Sequence, residues 1–150
     1  MDLVLWRHAD AEDGSPDLAR ELTSKGQRQA AEIAKWLKLR LPDDSEILVS
    51  PAARAQQTAQ ALTHKFTTVK DVAPGAPYAA ILSAAGWPDH KGTVVVVGHQ
   101  PTLGQTAAWL LSGKVADWGM KKGAAWWFTH RVRGGQRETA LRAAISPDLL

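Results

Sequence analysis

The sequence predicts an α/β domain of three layers: a mostly parallel sheet flanked by helices, with an antiparallel strand at its C-terminal side. Three observations carry that prediction. Short apolar runs at Leu3–Trp6, Glu46–Val49 and Thr93–Val97 are each followed by a stretch with helical signals. The valines at 94–97 are unbroken by a polar residue, as in a strand buried on both faces. Finally, Ala124–Val132 and Glu138–Ile145 resemble two strands joined through Gly134-Gly135, a hairpin signal. With 150 residues, 45% of them hydrophobic, the chain is long enough to bury a real core as a single domain spanning residues 1–150. It has no internal repeat, linker or low-complexity segment.

Leu3–Trp6 is the first expected strand. Ala9–Leu22 is polar and carries Gly14, Ser15 and Pro16, so it is expected to be a loop. Thr23 or Ser24 caps a helix reaching about Leu41, with Ala30, Ile33, Ala34, Leu37 and Leu41 on one buried face and Pro42 ending it. After the strand Glu46–Val49, Ser50-Pro51 opens a second helix, serine as N-cap and proline at the first helical position; it carries Ala52, Ala55, Ala59 and Leu62 and ends near His64. Phe66–Val72 is an expected third strand. Pro77–Ala85 reads as a helix stopped by Gly86. The helix after the valine strand runs from Pro101 to Ser112, with Leu103, Ala107, Leu110 and Leu111 on one face and Gly113 as its stop.

Composition narrows the function. Eighteen Lys and Arg against 15 Asp and Glu leave a formal charge of +3, with Lys121-Lys122 and Arg131, Arg133 and Arg137 as the densest basic groups. These read as solvated faces, and no nucleic-acid-binding module accompanies them, so no nucleic-acid partner is expected. The absence of cysteine excludes disulfides, thiolate zinc sites and a cysteine nucleophile. No apolar segment is long enough to span a bilayer, and the N-terminus lacks the basic flank and apolar core of a signal peptide. A cytoplasmic monomer that does not engage the membrane is the expectation.

Three strand ends carry chemistry. The first ends in Trp6-Arg7-His8. The second leads into Ser50-Pro51-Ala52-Ala53-Arg54, and the valine strand into Gly98-His99-Gln100-Pro101. Ligands of open α/β sheets bind outside the carboxyl ends of the strands. The last two segments also enter helices, whose N-termini attract anions. Parallel strands would bring Arg7, His8, Arg54 and His99 around one phosphate-sized space. Phosphoryl transfer needs positioning and charge stabilisation of three equatorial oxygens. Arg7, Arg54 and His99 would bind the phosphate, and His8 would attack phosphorus in line. For that, one ring nitrogen of His8 must be unprotonated, its other nitrogen donating to an acceptor such as a backbone carbonyl after Ala9.

These residues resemble a known family. Leu5-Trp6-Arg7-His8-Ala9-Asp10-Ala11 is similar to the Arg-His-Gly/Ala motif of the histidine phosphatase superfamily, also called phosphoglycerate-mutase-like. Leu22-Thr23-Ser24-Lys25-Gly26-Gln27-Arg28-Gln29-Ala30 resembles its Leu-Thr-x-x-Gly-x-x-Gln-Ala segment. Ser50 through Ala59 resembles its second arginine motif, and Val97-Gly98-His99-Gln100-Pro101 its second histidine motif. Among subgroups, the chain is most similar to the small SixA-type phosphohistidine phosphatases, in length and in the Gly-His-x-Pro form. The resemblance implies a phosphoglycerate-mutase-like fold and a hydrolase. It makes His8 the phosphorylated nucleophile and Arg7, Arg54 and His99 the phosphate ligands. It implies no metal or organic cofactor.

Two departures bear on the substrate. Position 9 is Ala where much of the superfamily has Gly. Position 100 is Gln, where one large branch has an acidic proton donor and the SixA-type subgroup often has Asn. The chain also has little room for the long insertion that carries the glutamate donor of the mutase branch. Asp10, Glu12 and Asp13 are the local carboxylates; Asp10, nearest the nucleophile, is the candidate acid and would need a raised pKa. A phosphorylated imidazole leaves through nitrogen and needs less help than an alkoxide. The expected substrate is therefore phosphohistidine on a signalling protein, such as a histidine-containing phosphotransfer domain. The alternatives are a phosphatase for small phosphate esters and a non-catalytic phosphate-binding interaction module. His64, His90 and His130 read as surface or structural, Ser50 as a cap rather than a nucleophile, and Trp6, Trp87 and Trp126-Trp127-Phe128 as packing. Gly98 and Gly104 do not make a nucleotide loop, since no Gly-Lys-Ser/Thr accompanies them.

Overall fold

A computed structural model describes residues 1–150. Six strands form one sheet: β1 (Asp2–Arg7), β2 (Glu46–Val49), β3 (Thr67–Thr68), β4 (Thr93–Gly98), β5 (Ala125–Arg133) and β6 (Gln136–Ile145). Their order is β3-β2-β4-β1-β5-β6. The first four in that order are parallel; β5 runs antiparallel to β1, and β6 antiparallel to β5. Four helices, α1 (Ser24–Lys38), α2 (Ala53–Gln60), α3 (Tyr78–Ala85) and α4 (Thr102–Ser112), complete the layers.

The period of two along the central strands sorts the core onto two faces. Leu3, Leu5, Val94 and Val96 pack with Ile81 and Leu82 of α3 and Leu103, Ala107 and Leu110 of α4. Val4, Trp6, Val95 and Val97 pack with Ile33, Ala34 and Leu37 of α1 and Ala55 and Ala59 of α2. The valine strand is buried along its whole length, as its unbroken apolar run requires. Trp6 and Phe128 are fully buried and Trp127 nearly so, as packing residues. Trp87 lies edge-on to His130, among the residues bordering the α3–α4 core. No helix is long and apolar enough to cross a membrane.

Several boundaries differ from those the sequence suggests. α1 ends at Lys38, because Arg40 and Leu41 both bond back to the Leu37 carbonyl in a closing turn. α2 starts at Ala53, with Ala52 rather than Ser50 as its N-cap: Ser50 Oγ accepts from Ala52 N, so Ser50 and Pro51 form a turn ahead of the helix. α2 ends at Gln60, and Ala59 takes the amides of Leu62 and Thr63. The third strand spans only Thr67–Thr68. Val72 packs in the core beside α3 and α4, and a 3-10 turn over Lys70–Val72 delivers it there. The loop after β1 holds one 3-10 turn, Asp17–Ala19. Gly86 and Gly113 close α3 and α4 in the left-handed conformation, as expected of helix-stopping glycines.

Candidate active site

Strand register brings the predicted residues together. Arg7 pairs with Gly98 across β1 and β4, and Val49 with Val97 across β2 and β4, so the next residues His8, Ser50 and His99 leave the sheet at one edge. Two backbone bonds tie these exits: His8 N donates to Gly98 O at 3.1 Å and Ser50 N to Val97 O at 3.1 Å. Arg54 joins them from the first turn of α2.

His8 is 8% exposed, and its Nδ1 lies 2.7 Å from the Ala9 carbonyl oxygen. A carbonyl only accepts, so Nδ1 carries the proton and Nε2 presents a lone pair. The acceptor is a backbone carbonyl, as expected, but that of Ala9 itself rather than one in the loop after it. Ala9 is held in turn from its amide side: Ala9 N donates to Thr58 Oγ1 at 3.0 Å, and Thr58 Oγ1 donates to the Arg54 carbonyl at 2.7 Å. Burial pushes the His8 imidazole down to about 4; the Ala9 bond opposes this, and Arg54, Arg7 and Arg20 add to the lowering. The ring is neutral near pH 7.

The His99 ring lies 5.2 Å from that of His8, centroid to centroid. Its Nε2 is 2.7 Å from Ser50 Oγ. Burial first, then His8 and Arg54, push it down to about 3, against an opposing contribution from Asp17. Arg7 Nη1 donates to the Met120 carbonyl at 2.7 Å. Arg54 Nη1 donates to the Asp17 carbonyl at 2.9 Å and Nη2 to the Asp17 carboxylate at 3.1 Å. What these side chains leave over is informative. Three buried side-chain polar atoms in the chain have no hydrogen-bond partner: Arg7 Nε, Arg54 Nε and His99 Nδ1. Buried polar groups are otherwise paired, so these three stand apart from the rest of the interior. Two of the three are obligate donors, and all belong to residues predicted to bind phosphate.

Asp10 does not behave as the expected acid. Thr23 Oγ1 donates to its Oδ2 at 2.7 Å and Lys122 Nζ to its Oδ1 at 2.8 Å. These bonds hold the carboxyl below the usual carboxylate range, the opposite of the raised pKa a proton donor needs. Asp10 instead clamps the loop to α1. Its amide donates to Gln29 Oε1, and Thr23 also caps α1 by accepting from Gly26 N. The Asp10 carbonyl sits where a Cβ at position 26 would lie, so only glycine fits there. The Thr-x-x-Gly-x-x-Gln segment is therefore a docking device for the loop that follows His8. Gln100 is likewise committed to backbone, accepting from Gly104 N and donating to Trp118 O at 2.8 Å.

Sequence reasoning missed Asp17, whose carboxylate bridges Arg54 and Arg20. It also missed Thr58 as the anchor of Ala9, and the Met120 carbonyl that holds Arg7. Asp17 and Met120 sit in segments without periodicity, where no spacing signals a partner. Thr58 was visible within the second arginine motif as a polar residue on the apolar side of α2.

Comparison with known proteins agrees with this geometry. The family model of the histidine phosphatase superfamily (branch 1) matches residues 3–74. The phosphohistidine phosphatase SixA of Escherichia coli K12 is 29% identical over 127 residues, covering 76% of each chain. A structure of a candidate SixA phosphohistidine phosphatase from Agrobacterium tumefaciens superposes with a TM-score of 0.80 at 25% identity, over 97% of this chain and 98% of that one. A phosphoserine phosphatase of Entamoeba histolytica, solved with phosphoserine, shares the fold with a TM-score of 0.71 at 19% identity, over 99% and 98% of the two chains. With three of its motifs at one sheet edge, the fourth docking the loop that follows His8, and its likeness to SixA over most of its length, this chain belongs to the histidine phosphatase superfamily and is a phosphatase.

Proposed function

We propose that this phosphatase hydrolyses phosphohistidine on a protein, through a phosphohistidine intermediate on its own His8. The observation that carries the reading is the set of unpartnered buried nitrogens, Arg7 Nε, Arg54 Nε and His99 Nδ1, beside a neutral His8 with its proton fixed on Nδ1. The three donors bind the phosphoryl oxygens. His8 Nε2 attacks phosphorus in line; the new P–N bond forms as the bond to the leaving group breaks and the leaving group takes the electron pair. Water then attacks phosphorus, the P–N bond to His8 breaks, and phosphate departs. Arg7 and Arg54 offset the charge on the transferred group in both steps.

The state of Asp10 and Gln100 supports this substrate class. Asp10 is held ionised, and the Gln100 amide is engaged with backbone on both sides. A leaving group that departs neutral without a donated proton suits such a site: an imidazole protonated on its other nitrogen does so, whereas an alkoxide must be given a proton as it leaves. The fold also serves a phosphoserine phosphatase, so a small ester is the competing substrate. Turnover of a phosphorylated histidine phosphotransfer domain is compared with that of phosphoserine and a panel of sugar phosphates. The expected result is the highest kcat/KM on the protein, with an acid-labile phosphate trapped on wild type and absent from His8→Ala. Higher kcat/KM on the esters overturns the substrate; undiminished hydrolysis by His8→Ala overturns the nucleophile.

A further inference from the structure

We infer that Ser50 is a positioning residue: its hydroxyl donates to His99 Nε2 and so fixes the proton of neutral His99 on Nδ1, the nitrogen without a protein partner. The argument is a count of protons. Ser50 is fully buried, and its hydroxyl has one hydrogen to place. The oxygen already accepts from Ala52 N at 3.2 Å, and a backbone N–H takes no hydrogen. The remaining partner of the hydroxyl is His99 Nε2, at 2.7 Å. If that nitrogen were protonated, Ser50 would accept twice and its own hydrogen would be stranded in the interior, at the full desolvation cost of a buried donor. The hydroxyl therefore donates, Nε2 accepts, and the proton of the neutral ring sits on Nδ1.

The consequence is a pair of histidines held in tautomers that serve different ends. Both carry the proton on Nδ1. In His8 that proton is committed to the Ala9 carbonyl, which frees the Nε2 lone pair. In His99 the lone pair is committed to Ser50, which frees the Nδ1–H as a donor. The carbonyl makes one ring a nucleophile, and the hydroxyl makes its neighbour a hydrogen-bond donor without a net charge. This is a role for the serine that precedes α2 distinct from capping, since the cap of that helix is Ala52.

The inference rests on the reading of His99 as a phosphate ligand, and its test is separable from that reading. Histidine-15N-labelled protein is examined by NMR without any phosphate, near neutral pH, with the His99 signals assigned by their loss in His99→Asn. The expected wild-type pattern is a protonated Nδ1 and an unprotonated Nε2 at His99. In Ser50→Ala that preference is lost, and inorganic phosphate inhibits about tenfold less well, the equivalent of ~1.4 kcal/mol. Ser50→Thr, which keeps the hydroxyl, retains the wild-type tautomer signature. A wild-type His99 protonated on Nε2 overturns the inference, and that spectrum needs no variant to fold. So does a Ser50→Ala protein that keeps both the Nδ1 proton and the wild-type phosphate affinity. Failure of the hydrolytic reading would show instead in the His8→Ala assays, with the tautomer unaffected.

Discussion

Charge decides the roles of the two aspartates near the site. Asp10 is bonded by Lys122 and Thr23, which hold its carboxyl below the usual carboxylate range, and we propose a mechanical role for it. Asp10→Asn keeps an oxygen for Thr23 and loses the Lys122 pair. Its kcat/KM is expected to stay within about threefold of wild type, with the same pH profile, against the ~10²–10⁴ that a general acid supplies. A loss of that larger size on phosphohistidine would restore Asp10 as the donor. Asp17 is different, because its carboxylate touches Arg54 directly while its side chain stays 56% exposed. Arg54 itself is buried, while water around the Asp17 carboxylate screens the pair on that side. Its negative charge nevertheless opposes a second anion beside the same guanidinium. Asp17→Asn keeps the carbonyl bond from Arg54 Nη1 and removes that charge. The variant should fold with unchanged Tm and be inhibited more strongly by inorganic phosphate, most clearly at low salt; weaker inhibition would mean that the carboxylate orients Arg54 rather than competes at it.

At the scale of elements, α2 and the loop after β1 form one unit. Thr58 stands a turn beyond Arg54 on α2; it accepts from Ala9 N and donates to the Arg54 carbonyl, so the helix carrying the arginine also holds the residue whose carbonyl fixes the His8 proton. Thr58→Val preserves shape and strands the buried Ala9 N–H. It is expected to cost about 1–3 kcal/mol of stability and to lower kcat at saturating substrate. Stability near wild type in urea titration would show that the Ala9 amide finds another acceptor. Gly26→Ala attacks the same loop from α1, where the new methyl meets the Asp10 carbonyl, so the loop must move off the helix; it should lower Tm and activity together. The element scale is also where the sequence was least legible. The sequence signals located every helix, yet misplaced the ends of α1 and α2, because the closing turns and the Ser50-Pro51 turn are set by individual local hydrogen bonds that leave the apolar spacing unchanged. The expected strand to Val72 fails for a related reason: core packing draws Val72 away from the sheet edge.

For the whole molecule, parallel pairing of three apolar strands sufficed to place Arg7, His8 and His99 at one edge, and that much was readable from the runs preceding them. The position of β5 against β1, which seals Trp6 and delivers the Met120 and Gly123 carbonyls, depends on contacts more than 100 residues apart and left no local sign. Folding thus assembles a site with two buried imidazoles among arginines, and this carries a cost that pH exposes. Above the ordinary histidine value of 6.5, both rings are neutral in the folded and the unfolded chain and add no pH dependence. Below it the unfolded chain takes up protons that the folded one refuses until about 4 at His8 and about 3 at His99. The unfolded state binds more protons over this window, so stability falls as pH drops through it. The carboxylates with depressed values, Asp2, Asp10 and Asp17, have an ordinary value of 3.8 and lose their contribution below that, so the range from 6.5 to about 4 isolates the histidines. Wild-type Tm should decline across this range, and a His8→Gln, His99→Asn double variant should show a flatter profile there with the same acid collapse below it. Parallel slopes for the two proteins would mean that the site histidines are not held neutral, and with that the tautomer-based division of labour between them would fall.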